Sequence, residues 1–234
     1  MLDTERTAGS RPYLEVLEEL HELLVPMNYF EVGVRWGDSL RLAKCNAIAV
    51  DPAPNLRIPL PANATLHQMT SDQFFELAGA NDEGEVIDFA FIDGMHHFEF
   101  ALRDFMNIER YAGPGSVVVL DDIFPNHPLQ AAREIQTRIW MGDIWRIREC
   151  LTAYRPDLAL FPLDTHPSGL LLVLGLNAAD RTLSSRYDEI VDRYVTHASE
   201  VPPDRVLQRL GAIPPTEEVL RAIANLATRL RASS

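Results

Sequence analysis

The stretch Val86 to His97, V-I-D-F-A-F-I-D-G-M-H-H, decides how the rest of the chain is read. Val86 to Ile92 is a nearly continuous apolar run, the pattern of a strand buried on both faces by helices in a parallel sheet. It stops at Asp93 and Gly94, and two histidines, His96 and His97, follow. A turn therefore releases a carboxylate and imidazoles at the carboxyl edge of a strand, where open α/β sheets hold their ligands. A second such end follows at Val117 to Asp122, V-V-V-L-D-D. The two ends are expected to meet over one reaction centre.

Working outward, the chain alternates strands and helices. Leu17, Leu20 and Leu24 recur with Tyr13 at helical spacing, and Pro26 closes this amphipathic cover helix. Residues 1 to 12 read as a loose leader. Tyr29 to Val34 is a strand running through Arg35-Trp36-Gly37-Asp38-Ser39 into a helix over Leu40 to Lys44. Ala47 to Val50 is a strand closed by Asp51-Pro52, and the proline-rich 52–61 stretch is irregular. Thr65 to Met69 is a short strand, followed by a helix capped by Ser71 or Asp72 and by a polar turn over 79–84. A helix with Phe98, Leu102, Phe105 and Ile108 on one face leads through a Gly113-Pro114-Gly115 turn to the Val117 strand.

Next, Pro125 to Pro128 is read as opening a helix with Ala132, Ile135 and Ile139 inward, and Trp140 to Cys150 as its continuation. Leu158 to Phe161 and Leu170 to Leu174 are strands close enough for a hairpin, so an antiparallel last strand is expected. Two apolar stripes end the chain: Leu183, Tyr187, Ile190, Val191 and Tyr194, then Val219, Leu220, Ile223, Leu226 and Leu230 behind a Thr216 cap. The expected organisation is a leader and cover helix over 1–27, a ligand-binding α/β domain over 28–176 and a helical extension over 177–234. The terminal stripes need burial, and a homo-oligomer interface is one place for it.

Composition bounds the function. The net charge of −13 over 234 residues argues against a nucleic-acid partner, because such affinity comes mostly from Lys and Arg displacing counterions. Lys44 is the only lysine, which carries no functional message. Cys45 and Cys150 lie in no metal-ligand spacing and read as free buried thiols, in keeping with a reducing cytoplasm. The first ten residues show no secretory signal, and no apolar run is long enough to cross a bilayer.

The glycines of E-V-G-V-R-W-G-D-S, at 33 and 37, do not have the spacing of a dinucleotide fold. Asp51 ends the neighbouring strand, where a carboxylate can accept both hydroxyls of a ribose. Taken singly, the glycine turn and the Asp-Pro step are ordinary turn features.

As an ordered set with the two acidic strand ends, they resemble the class I S-adenosylmethionine-dependent methyltransferases. The narrower likeness, through I-D-G-M-H-H-F-E and V-V-L-D-D, is to bacterial metal-dependent O-methyltransferases of natural-product sugars and their cephalosporin-hydroxylase-like relatives. The resemblance spans roughly residues 28 to 175. It implies a seven-stranded Rossmann-like sheet with an antiparallel last strand. It also implies a methionine-binding turn at Gly33, Gly37 and Ser39 with Glu31 near the cofactor, Asp51 on the ribose, and Thr70, Ser71 and Asp72 at the adenine. Met95 stands where some sugar-methylating members have an acid, and His96 stands where others place a histidine.

Neighbouring parallel strands lie about 4.8 Å apart, so carboxylates at two adjacent ends can share a divalent cation. Asp93, Asp121 and Asp122 are the expected ligands, and an all-oxygen set favours Mg2+ or Mn2+ over zinc. His96 is the expected general base toward an acceptor hydroxyl, with Asp93 beside it. Other roles stay open: Asp121 and Asp122 as turn or helix-capping residues, His97 as a packing residue, and Trp36, Trp140 and Trp145 as pocket wall or core. The expected activity is a metal-dependent O-methyltransferase acting on a small-molecule hydroxyl such as that of a metabolite's sugar. Alternatives are methylation of a catechol or vicinal diol, and a cofactor-fold protein that binds without turnover as a partner subunit.

Overall fold

A computed structural model of the chain describes residues 2–79 and 86–233. The turn read over 79–84 falls, beyond Gly79, outside the described residues. Seven strands form the main sheet: β1 (Asn28–Val32), β2 (Asn46–Val50), β3 (Ala64–His67), β4 (Ile87–Ile92), β5 (Ala112–Leu120), β6 (Ala159–Leu163) and β7 (Leu170–Leu174). Their order is β3-β2-β1-β4-β5-β7-β6, with β7 antiparallel to both of its neighbours and all other pairs parallel. The order reverses between β1 and β4, the switch point at which such sheets open a crevice.

Strand alternation sorts the apolar side chains into two layers. Phe89, Phe91, Val117 and Val119 face the helices α1 (Tyr13–Leu24) and, at the carboxyl end of the chain, Glu217–Ala232. Ala90, Ile92, Val118 and Leu120 face α2 (Ser71–Gly79), α3 (Phe98–Glu109), α4 (Arg146–Tyr154) and the short helical segments over 182–207. Burying each large side chain contributes roughly 1.5–3 kcal/mol. The C-terminal extension thus divides between the two faces. Both terminal apolar stripes find their burial within the chain, as do Leu220, Ile223, Leu183 and Ile190.

Several local readings change. Thr70, rather than Ser71 or Asp72, caps α2: its Oγ1 accepts from Gln73 N–H while Gln73 Oε1 accepts from Thr70 N–H, a reciprocal capping box. The helix expected over Leu40 to Lys44 is one 3-10 turn, Leu40–Leu42. The preceding residues are consumed in a turn, with Arg35 and Gly37 both at positive φ. Gly113-Pro114-Gly115 belongs to β5 rather than to a turn. A Cβ at Gly115 would come within 2.6 Å of Arg231 Cβ, so a bare backbone there lets the C-terminal helix cross the strand.

The largest change is at 125–145. Only Pro128–Ala131 is helical, as a single 3-10 turn, and Ile135 is 72% exposed. The leader is not loose. Arg6 Nε donates to Asn126 O, and Gln130 Nε2 donates to Thr4 O and Arg6 O. Glu5 accepts from the backbone N–H groups of Arg138 (2.9 Å) and Ile139 (3.1 Å). Arg11–Pro12 pairs in parallel with Thr165–His166. Amides that a helix would pair internally are met instead by a carboxylate from the amino end.

Candidate active site

The ends of β1, β2, β4 and β5 open into a cavity of about 920 Å³. Its floor is the glycine turn. Gly33, at φ 85°, passes so close to the β4 end that a Cβ there would lie 2.0 Å from Asp93 O. Asp51, 8% exposed, organises that turn: Oδ2 accepts from Val34 N–H and Arg35 N–H, both at 2.8 Å, and Oδ1 accepts from Ala53 N–H. A carboxylate has about four acceptor sites, so most of this one's capacity holds backbone and little remains for a ribose.

Glu31, Gly37 and Ser39 lie beneath the floor rather than along it. Glu31 is fully buried and accepts from Tyr29 Oη at 2.6 Å and Ser39 Oγ at 2.7 Å. Burial pushes its carboxyl up to about 8, against the pull of those two hydroxyls. The trio fixes the turn from below. Thr70, Ser71 and Asp72 line the cavity as expected, but Asp72 is held by both Nε and Nη2 of Arg103.

At the other side stand Asp93, His96 and Asp122, whose potential ligand atoms all lie within 4.8 Å of one another. His96 Nδ1 is 2.9 Å from both Asp122 Oδ2 and Trp140 O, and Nε2 is 3.4 Å from Asp93 Oδ1. Two acceptors at Nδ1 place a ring hydrogen there, and in the protonated ring Nε2–H faces Asp93. Burial would lower the imidazole's pKa, yet the Asp122 and Asp93 carboxylates hold it well above its ordinary value. Asp121 stands outside this group: Oδ1 accepts from Asp122 N–H and from Ser168 Oγ. Burial, then the charges of Asp122 and Asp93, push Asp121 well up. His97 turns away, its Nε2 2.9 Å from Arg133 O.

The remaining wall includes Ile135 and Ile139, which the sequence pattern read as the inward face of a helix. Ile135, Arg138, Ile139, Trp140 and Met141 roof the cavity, and Trp140 stacks on His96 at 5.1 Å between centroids. Tyr13 reaches in from α1, and Trp36 and Arg35 from the glycine turn, whereas Trp145 is buried in the core. Burial and the nearby acids, Asp93 foremost, raise the Tyr13 phenol and keep it a neutral donor. An apolar ligand wall and an apolar core leave the same periodic signature, so the pattern could not separate them.

Residues 30–123 match the family model described as a methyltransferase domain. Over that stretch the chain is similar to a methyltransferase domain. Its fold is similar to that of solved structures at low sequence identity. One is an O-methyltransferase from Bacillus cereus in complex with SAH (14% identity, TM-score 0.54, covering 70% of this chain and 80% of that one). Another is TomG from Streptomyces achromogenes, an O-methyltransferase of tomaymycin synthesis in complex with SAM (17%, 0.53, 73% and 82%). A third is the SAH-bound methyltransferase PaMTH1 from Podospora anserina (11%, 0.53, 70% and 78%). No curated protein matches the sequence. The glycine turn, the β2 end and the two acidic strand ends all fall within the matched stretch. None of the helices is long and apolar enough to span a membrane, among the described residues.

Proposed function

We propose that the chain is an S-adenosylmethionine-dependent O-methyltransferase that uses a divalent cation and acts on a small-molecule hydroxyl with a neighbouring oxygen, as in a metabolite's sugar or a catechol. One observation carries the reading: a single cavity joins the glycine turn to the Asp93, His96 and Asp122 cluster. The cofactor named by two of the similar structures, bound to those proteins as SAH or SAM, suits a floor whose turn Gly33 packs directly against the Asp93 strand end. When bound, it supplies a methyl group on a sulfonium.

The donor set fits a hard or borderline cation, Mg2+ or Mn2+, with two carboxylates and one imidazole. Such an ion supplies Lewis acidity that eases loss of the acceptor's proton. Asp93, His96 and Asp122 would hold it. His96 keeps Nδ1 on the Trp140 carbonyl, the outer hydrogen bonding that orients ligating histidines, and presents Nε2 toward Asp93. This favours a ligand role for His96 over the general-base role. Three protein donors would leave part of such an ion's coordination free for an acceptor's oxygens.

The chain's own contribution is orientation and exclusion of water. Tyr13 offers a hydroxyl donor to the cavity, and the Trp140 ring and Ile139 line it with apolar surface that would exclude water around an acceptor hydroxyl. The test is mass spectrometry of glycosylated and catechol-type acceptors incubated with methyl-labelled S-adenosylmethionine. Label transfer is expected with Mg2+ or Mn2+ and not in excess chelator. Binding of the cofactor without transfer to any acceptor would favour a partner-protein role.

A further inference from the structure

Asp104 is 3% exposed, lies on α3 and faces the cavity beside Ser71. It belongs to the adenine end only if the S-adenosylmethionine reading holds, and the inference rests on that reading. Polar side chains at that end are few. Thr70 Oγ1 is committed to its capping box, both oxygens of Asp72 to Arg103, and the Ser71 hydroxyl to Asp104 itself. Apart from that hydroxyl, no side chain and no backbone N–H bonds the Asp104 carboxyl, among the described residues. Phe100, one helical turn earlier on the same face, lines the cavity too and offers a flat apolar surface. A purine needs such a surface and an edge partner that both donates and accepts.

We propose that Asp104 reads the adenine edge of the cofactor, its carboxyl group donating to a ring nitrogen while accepting from the exocyclic amino group. A carboxylate can only accept, whereas the neutral acid does both. Burial pushes Asp104 up to about 7, with Asp72 adding to the rise and the Ser71 hydroxyl and Arg103 opposing it. Those are the charged and polar groups that face it from α2 and from its own helix. Arg103 is shared with Asp72 and Tyr187 Oη and provides no direct ion pair. A bound purine excludes water further and favours the neutral form.

Calorimetric titration with S-adenosylhomocysteine between pH 6 and 8.5 tests this. For the wild type, affinity is expected to fall about tenfold per pH unit above pH 7, the signature of one proton required for binding. Asp104→Asn has the same shape and both hydrogen-bonding functions at every pH. It should bind within a few-fold of the wild type at pH 6 and lose the slope. Asp104→Ala should be at least tenfold weaker at pH 6. Titration of the Asp93, His96 and Asp122 cluster is common to all three proteins and cancels in the comparison.

A flat wild-type profile, affinity that rises with pH, or an Asn variant that keeps the wild-type slope would overturn the assignment and leave Asp104 a packing residue. Failure of the wild type to bind S-adenosylhomocysteine at any pH would overturn the methyltransferase reading, and this one with it. Binding without the slope overturns only this one.

Discussion

A Cβ at Gly33 would lie 2.0 Å from the carbonyl oxygen of Asp93, and that approach brings the glycine turn and the acidic strand end into one cavity. Gly33 also sits at φ 85°, a conformation that costs an L-residue about 1–2 kcal/mol before any clash. Gly33→Ala should therefore lower stability by roughly 2 kcal/mol or more and weaken S-adenosylhomocysteine binding at least tenfold. Thermal melts and calorimetry check both. A variant with wild-type melting and affinity would mean that the turn moves freely away from Asp93.

The two adjacent aspartates should behave differently. Asp122 carries a left-handed backbone, φ 65°, which Asn tolerates nearly as well, so Asp122→Asn removes charge with little strain. Mn2+ affinity, read by electron paramagnetic resonance, should drop at least tenfold. Asp121→Asn should change it far less, because Asp121 bonds Ser168 and the Asp122 amide instead. Equal losses in the two variants would return Asp121 to the ligand set.

Glu31 predicts a stability profile. Its folded-state pKa, up to about 8, lies above the ordinary carboxyl value, so the folded protein holds a proton that the unfolded chain releases. The corresponding stability is fully present at low pH and is lost as pH rises toward 8, at up to about 1.4 kcal/mol per unit. Asp104 adds the same sign up to about 7. Glu31→Gln should flatten this slope in denaturant titrations between pH 5 and 8.5. An unchanged slope would show that Glu31 is ionised throughout that range.

Much of the sheet was readable because buried parallel strands advertise themselves. Phe89 to Ile92 and Val117 to Leu120 have no polar residue to confuse the reading. The acidic ends Asp93 and Asp122 follow from where those runs stop. What the sequence hides is what tertiary contacts decide. Ile135 and Ile139 have helical spacing, yet their segment takes its amide partners from Glu5, more than a hundred residues away. Asp51 looks like a ribose acid, but which of its lone pairs are already engaged depends on how the Val34 and Arg35 amides fold back. Asp104 gave one faint signal, an acid four residues after Phe100 at the margin of an apolar stripe.

Glu5 gives a further test without any substrate. Its carboxylate holds the amides of Arg138 and Ile139, and hydrogen bonds to a charged group are each worth about 1.5–3 kcal/mol. Glu5→Ala should speed tryptic cleavage after Arg138 by about tenfold or more while leaving S-adenosylhomocysteine affinity within a few-fold. Cleavage at the wild-type rate would mean that the roof is held by its other contacts alone.

The docking of the amino end also orders events in time. Ser10 bonds Asp164 across a separation of 154 residues, and Glu5 bonds Arg138 across 133. Loops of that length close late, because their entropic cost must be met before such distant contacts reward it. Residues 5–10 are thus among the last to settle, and they settle on a sheet already built. The sheet and its glycine turn can mature while the roof at Arg138 and Ile139 is still open, so a newly made chain should gain S-adenosylhomocysteine binding before it gains turnover.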